Sequence, residues 1–173
     1  MLNVEIKAIC CSRDKVRKIL VSLGADFKGT DRQIDTYFKT NKGRLKLREG
    51  NIENNLIYYE RENTNQPKES NFSLYRSPNP GLLKEILTNA FGILAVVDKK
   101  REIYYIDNVK FHLDEVKNLG SFAEIEATDI SGTIGKDKLY EQCKYYLKLF
   151  GIKESDLLSV SYSDMILNSE KTV

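Results

Sequence analysis

Alternation of apolar and polar residues with a period of two recurs in eight short segments of this chain, a pattern that β-strands produce and helices do not. The segments cover about residues 2–9, 31–38, 43–49, 55–62, 70–77, 93–106, 109–116 and 121–128. In the first, Leu2, Val4, Ile6 and Ala8 share one face, and Asn3, Glu5 and Lys7 share the other. In the third, Leu45 and Leu47 oppose Arg44, Lys46 and Arg48. In the fourth, Arg61 follows Ile57 and Tyr59 on one face, and in the sixth Lys99 and Arg101 share a face. In the seventh, Val109, Phe111 and Leu113 oppose Lys110, His112 and Asp114. In the eighth, Ala123, Ile125 and Ala127 oppose Glu124 and Glu126.

Three segments have helical spacing instead. Val16, Ile19, Leu20 and Leu23 form one stripe, with Ser12 as its cap and Gly24 as its stop. Leu83, Ile86, Leu87 and Ala90 form the second, ending at Gly92. Leu139, Cys143, Tyr146, Leu147 and Phe150 form the third, ending at Gly151. A further short helix is expected near Asp164 to Leu167. The turns Asp107-Asn108 and Asn118-Leu119-Gly120 are tight, and residues 63–70 read as a loop. Many strands with short turns predict an α+β fold built on a sandwich or a barrel, in one domain over residues 1–173.

The 27 basic and 25 acidic residues leave a net charge of +2, which excludes a protein coated in cations for nucleic acid. The three cysteines, Cys10, Cys11 and Cys143, form neither a paired nor a zinc-like spacing and read as reduced. No apolar run approaches the roughly 20 residues that span a bilayer, and the start MLNVEIKA already alternates as a strand. A cytoplasmic protein with no membrane partner is the expectation.

On any one strand a charged face opposite an apolar one is an ordinary wet face. Taken together, cationic pairs (Lys46 with Arg48, Lys99 with Arg101) accompany an acidic pair (Glu124 with Glu126). Arginine forks and lysine point charges suit phosphate oxygens. Carboxylates two apart on a strand project together and suit a hard cation such as Mg²⁺ or Mn²⁺. Closing the sheet would put these faces inside a tunnel and leave the apolar faces outside for the helices to cover.

The order of these residues resembles the CYTH, or triphosphate tunnel metalloenzyme, superfamily, and within it the CyaB-like branch called class IV adenylate cyclase. The likeness runs from Val4-Glu5-Ile6-Lys7 through Gln33-Ile34-Asp35-Thr36-Tyr37-Phe38 and Gly43-Arg44-Leu45-Lys46-Leu47-Arg48-Glu49. It continues through Tyr59-Glu60-Arg61, Lys99-Lys100-Arg101, His112-Leu113-Asp114 and Glu124-Ile125-Glu126 to Ser161-Tyr162-Ser163-Asp164. The resemblance implies a closed eight-stranded antiparallel β-barrel, the triphosphate tunnel, with helices packed on its outside. It implies that Lys7, Lys46, Arg48, Arg61, Lys99 and Arg101 hold phosphates and that Glu5, Asp114, Glu124 and Glu126 ligate Mg²⁺ or Mn²⁺. It implies Lys7, paired with Tyr37, as the group that activates a nucleophile in hydrolytic members. One departure is Asn3, which stands where the family's Glu-x-Glu-x-Lys signature has its first Glu and offers a hard cation a weaker ligand.

Two reactions fit such a site. In one, ATP is converted to cyclic AMP and pyrophosphate. In the other, inorganic triphosphate or thiamine triphosphate is hydrolysed. A polyphosphate or nucleotide sensor without catalysis is a third reading, favoured by Asn3 and opposed by Lys7, Glu124 and Glu126. The partner is then a nucleoside triphosphate or another triphosphate, with no nucleic acid; pairing of barrels into a homodimer stays open. His112 is read equally as a contact of the bound molecule and as a wall residue paired with a carboxylate, and Lys68 as a solvated loop lysine. Truncating Arg48 or Arg101 is expected to weaken triphosphate binding without unfolding the protein.

Overall fold

The structure is a computed structural model that describes residues 2–10, 12–60, 68–69 and 71–170. Among the described residues the strands are β1 Leu2–Ile9, β2 Asp26–Phe38, β3 Arg44–Glu49, β4 Asn55–Glu60, β5 Lys68–Glu69, β6 Asn71–Arg76, β7 Ile93–Ile106, β8 Val109–Val116 and β9 Gly120–Asp129. The α-helices are α1 Arg13–Ser22, α2 Pro80–Phe91, α3 Lys136–Phe150 and α4 Tyr162–Glu170. All the strand pairs are antiparallel, and the sheet runs β5-β1-β9-β8-β7-β2-β3-β4-β6.

The fold is α+β, as expected, but hydrogen bonds do not close the sheet into a barrel. Its two terminal strands, β5 on β1 and β6 on β4, nevertheless follow one another in the chain with only residue 70 between them. The expected strand at 70–77 is β6, whereas Lys68 and Glu69, expected within a loop, form β5 on the opposite edge. Strand β2 begins at Asp26, five residues before the expected start at 31. Its extra length pairs with Tyr105, Tyr104 and Ile103 of β7 through an irregularity between Phe27 and Gly29. That glycine and the polar residues around it hide the strand from a periodicity argument, and pairing with β7 supplies it.

The apolar face lies outward, under the helices. Val4, Ile6, Phe111, Leu113 and Ile125 pack against Val16 and Leu20 of α1 and Leu139, Cys143 and Phe150 of α3. Each such side chain, fully removed from water, contributes roughly 1.5–3 kcal/mol. Phe38 and Leu47 pack against Leu87 of α2 on that outer face. On the inner face Phe122 and Val97, which share parity with Glu124 and Lys99, pack with Tyr37 against Tyr162 of α4. Gly151, at φ 68°, ends α3 in the left-handed conformation that a glycine adopts freely, and Ile152 N–H donates to Leu147 O. Two sequence expectations need correction. The Ser12 side chain makes no cap bond to α1, since its backbone carbonyl alone accepts the first helical N–H groups. Ile86 faces solvent on α2, whose buried residue is Leu87. Cys10 and Cys143 are free and buried; Cys11 lies outside the described residues.

Because the outer face takes the apolar residues, the concave face of the twisted sheet receives the charges. Among the described residues no helix is long and apolar enough to cross a membrane.

Candidate functional site

The inward parity of six strands delivers charged side chains into one cavity. Its empty volume is about 870 Å³, part of it open to solvent. Glu5 and Lys7 of β1, Tyr37 of β2, Lys46 and Arg48 of β3, Lys99 and Arg101 of β7, and Glu124 and Glu126 of β9 all line it. Arg61 lies outside the described residues. Asp114 is fully buried just behind the lining, against Arg101. The inward residues Asp35, Glu53, Lys110 and Tyr162, to which the sequence assigned no role, line the cavity too.

Two ion clusters organise the interior. Asp35 is the centre of the first. Its carboxylate accepts from Arg48 Nε and Nη2 at 2.8 and 2.9 Å, from Lys99 Nζ at 2.6 Å and from Lys46 Nζ at 3.3 Å. Burial opposes its ionisation, yet Arg48, Lys46 and Lys99 hold it well below the usual carboxylate range. Register places these groups together, since Asp35 faces Arg48 across β2–β3 and Tyr37 faces Lys46. Tyr37 is pushed well above the usual phenol range by burial, by Tyr59 and by Asp35, so it remains a hydrogen-bond donor.

Glu124 is the centre of the second cluster. It contacts Lys7 Nζ at 3.0 Å, Arg101 Nη2 at 2.7 Å and His112 Nδ1 at 3.1 Å. Arg101 also forks onto Asp114, its neighbour across β7–β8. Asp114 in turn accepts from the Tyr162 hydroxyl at 2.8 Å, and the Lys7 ammonium lies 3.8 Å from the centre of the Tyr162 ring. The ring that holds Lys7 is therefore that of Tyr162, while Tyr37 sits beside Lys46 at 5.5 Å. The Lys7–Tyr37 pairing implied by the resemblance is not formed here. His112 is held neutral, its pKa lowered to about 3 by burial and by Arg101 and Lys110. It is both a wall residue on Glu124 and a cavity-lining one, so the two readings of it coexist.

Asn3 also has a place in this arrangement. Its amide donates to Glu126 at 3.0 Å, and its carbonyl accepts from Thr128. A carboxylate there would face Glu126 with like charge, whereas the amide satisfies it.

The fit of a divalent cation depends on the acids that face the cavity. Among the described residues no three of His, Cys, Asp and Glu converge closely enough to hold an ion as they lie. Asp114 serves Arg101 and Tyr162, and Glu124 serves three cationic or imidazole partners. Glu5, however, faces Glu126 across β1–β9, and Glu126 is raised above the usual carboxylate range by burial, with Glu5 and Glu124 adding to the shift. A hard cation would relieve that crowding, so Glu5 and Glu126 fit one, with Glu124 joining them on release of one of its present partners, and phosphate oxygens and water completing the shell.

Lys99 sets a pH dependence. Burial, followed by the neighbouring cations Arg48, Arg101 and Lys46, lowers its pKa to about 7 against the pull of Asp35. A folded pKa below the unfolded value of 10.5 means that the unfolded chain binds this proton more readily between the two values. The lysine's contribution to stability therefore rises with pH across that window, while its charge toward an anion is lost. Tripolyphosphate affinity is expected to fall as pH rises through about 7, and the fall should flatten in Lys99→Arg. Calorimetric titration of both proteins over that range checks it, and parallel pH profiles would exclude Lys99 as the cause.

A CYTH domain family model matches residues 1–157. The chain belongs to the CYTH family. It is 26% identical to the Methanocaldococcus jannaschii protein named putative adenylate cyclase MJ0240, over 95% of this chain and 98% of that protein. Among solved structures it is similar to the PH1012 protein of Pyrococcus horikoshii, with a TM-score of 0.78 and 25% identity over 94% of this chain and 98% of that one. It shares its fold with HpAC1 of Hippeastrum, described as a putative adenylyl cyclase that reveals a dominant triphosphatase activity. That likeness has a TM-score of 0.65 at 15% identity, over 98% of this chain and 96% of the other. The site residues that the CYTH resemblance implies are brought by the fold to a common cavity, apart from Asp114, which lies one layer behind, and Arg61, which is outside the described residues.

The signals for the unassigned residues differ. Asp35 and Lys110 share strand parity with residues that were assigned, so alternation marks them as inward. Glu53 sits in the β3–β4 connection and Tyr162 at the start of a C-terminal helix, where no period applies.

Proposed function

We propose that this CYTH protein is a metal-dependent enzyme that acts on a triphosphate bound in the charged cavity, converting ATP to cyclic AMP and pyrophosphate. The observation that carries this reading is the convergence of Lys7, Lys46, Arg48, Lys99 and Arg101 with Glu5, Glu124 and Glu126 on one cavity. The name of the M. jannaschii relative supports the cyclase form. Arg61 is assigned here with the phosphate-binding cations.

The cations lie in two groups that a chain of phosphates can bridge. Lys46, Arg48 and Lys99 surround Asp35; Lys7 and Arg101 surround Glu124. Charge that builds on phosphate oxygens meets guanidinium and ammonium groups already oriented by these carboxylates, which is electrostatic preorganisation. Glu5, Glu126 and Glu124 would hold Mg²⁺ or Mn²⁺, and such a cation would supply a clamp and a Lewis acid on those oxygens. Asp114 fixes the Arg101 fork and Tyr162 fixes Asp114, so both act through Arg101. Lys7, lying on Glu124 and on the Tyr162 ring, serves as a phosphate-binding cation. Tyr37, kept protonated, donates a hydrogen bond to a phosphate oxygen or to the attacking hydroxyl.

Hydrolysis of a triphosphate is the second reading, favoured by the activity described for the Hippeastrum relative. One incubation panel separates the two. The protein is given ATP, tripolyphosphate or thiamine triphosphate with Mg²⁺ or Mn²⁺, and phosphate, pyrophosphate and cyclic AMP are all measured. Cyclic AMP with pyrophosphate is the expected result. Phosphate released from tripolyphosphate or thiamine triphosphate alone would transfer the assignment to a triphosphatase, and tight binding without product would make the protein a sensor.

A further inference from the structure

One carboxylate in the cavity comes from no strand and joins the first ion cluster only through Arg48. Glu53 lies in the connection between β3 and β4, and it reaches into the cavity from the end where that connection sits. Its Oε2 accepts from Arg48 Nη1 at 2.7 Å and from Gln33 Nε2 at 3.1 Å. Its Oε1 accepts from Lys110 Nζ at 2.6 Å. Arg48 is on β3 and Lys110 is on β8, with β2 and β7 between them in the sheet. The carboxylate thus spans the interior from one wall to another. Burial raises its pKa, but Arg48, Lys110 and His112 hold it well below the usual range, so it is an anion at neutral pH.

The connection that carries Glu53 is tied down. Asp31, fully buried on β2, accepts from the backbone N–H groups of Ile52 and Glu53 at 2.9 and 3.0 Å. Asn51 Oδ1 accepts from Arg32 N–H at 2.7 Å. A Cβ on Gly50 would stand 2.6 Å from the Asp31 carboxylate, so the turn approaches β2 as closely as a glycine permits. Glu53 is held in place and does not hang from a loose loop.

Strand directions place the two ends of the cavity. The end with Glu53 and Lys110 also holds the start of β1 and the β7–β8 turn. At the opposite end lie Lys46, Tyr59 and Ser161 with Tyr162 at the start of α4. Lys7, Lys46, Lys99 and Arg101 are clear of Glu53, whereas Arg48 and Lys110 are bound to it.

We infer that Glu53 is a chain-length stop. It closes one end of the phosphate path with a fixed negative charge, so that the site takes the terminal triphosphate of a short anion end-on and excludes a long linear polyphosphate threading through. A phosphate chain advancing along Lys7, Lys46, Lys99 and Arg101 meets a carboxylate that holds three donors, and passing it means like-charge contact and the loss of those bonds. The non-phosphate part of a substrate then projects toward the opposite end, where Tyr59, Ile57 and Leu74 offer an apolar surface.

The inference rests on the triphosphate reading of the cavity, and the experiment distinguishes the failure of each. Binding of tripolyphosphate and of a long-chain linear polyphosphate is measured by calorimetry, at moderate salt to suppress contacts with the outer surface, for the wild type and Glu53→Gln. The stop predicts that wild-type affinity, expressed per chain end, is the same for the long chain as for tripolyphosphate. Glu53→Gln should then raise affinity for the long chain on the order of tenfold while changing tripolyphosphate much less. Wild-type affinity that climbs with the number of internal phosphates would overturn the stop, whether or not the variant folds. So would equal shifts for both ligands in a folded variant. Failure of the wild type to bind tripolyphosphate would remove the triphosphate reading itself and the stop with it.

Discussion

Asp35→Ala is expected to be among the most damaging single substitutions in the inner face, lowering stability by about 3–5 kcal/mol in the absence of a bound anion. The residue is 1% exposed and accepts from three cationic side chains, two of them 3–6% exposed themselves. Removing the carboxylate leaves Lys46, Arg48 and Lys99 facing one another with only Glu53 on the far side of Arg48. The same arrangement gives a second, distinguishing effect. In the variant, tripolyphosphate would replace the missing charge, so its stabilisation of the fold, in urea unfolding, should exceed that seen in the wild type. An Asp35→Ala protein with the wild-type unfolding midpoint would contradict the picture of a central counter-ion. The acid limb of the wild type follows from the same pair of charges. Since Asp35 is depressed below its unfolded value of 3.8, its contribution is present above that value and is lost as pH falls through the folded pKa.

How much of this was legible in the sequence depends on where each residue sits. Strands β1, β8 and β9 could be read directly. Val4 and Ile6 oppose Glu5 and Lys7, Phe111 and Leu113 oppose His112 and Asp114, and one face of each is packed under α1 and α3. Alternation reports which face a residue takes, and a buried apolar face fixes the register. It does not report which inward residues meet. Arg101 and Asp114 were both legible as inward, but only the β7–β8 register makes them direct neighbours, and that register turns Asp114 from an expected metal ligand into the partner of an arginine. The amide of Asn3 was read as a weak ligand, and the β1–β9 register gives it Glu126 and Thr128 instead. How the sheet ends was not legible, because Lys68 and Glu69 pair with β1 and residues 71–76 with β4, and alternation reports no partner strand. Glu53 was illegible for a simpler reason, since a turn residue has no period and its direction comes from the bonds of Ile52 and Glu53 to Asp31.

Arg101→Ala is expected to weaken tripolyphosphate binding on the order of tenfold or more and also to destabilise the fold, whereas the sequence alone led to the expectation of a binding defect in an otherwise intact protein. The guanidinium is 3% exposed and satisfies both Asp114 and Glu124. A bidentate charge-assisted contact with phosphate is worth more than a single hydrogen bond, and losing it weakens affinity on the order of tenfold or more. The structural cost falls on Asp114, which keeps only the Tyr162 hydroxyl, whereas Glu124 keeps Lys7 and His112. This predicts a reversal of sign in the pH dependence of stability. In the wild type Arg101 holds Asp114 below 3.8, so its contribution is lost as pH falls. Without Arg101, burial and the charge of Glu124 act on Asp114 against only His112 and the Tyr162 hydroxyl, and its pKa is expected to rise above the unfolded value. The group then contributes most below that value and progressively less as pH rises. Between about pH 4 and pH 6 the variant should therefore lose stability relative to the wild type as pH increases. Asp114→Asn in the same background should flatten that loss, because an amide has no charge to bury. Urea midpoints of the three proteins across this range are the measurement. A difference between wild type and Arg101→Ala that does not change with pH would mean that Asp114 has another counter-ion, and the account of the second cluster would have to be rebuilt around it.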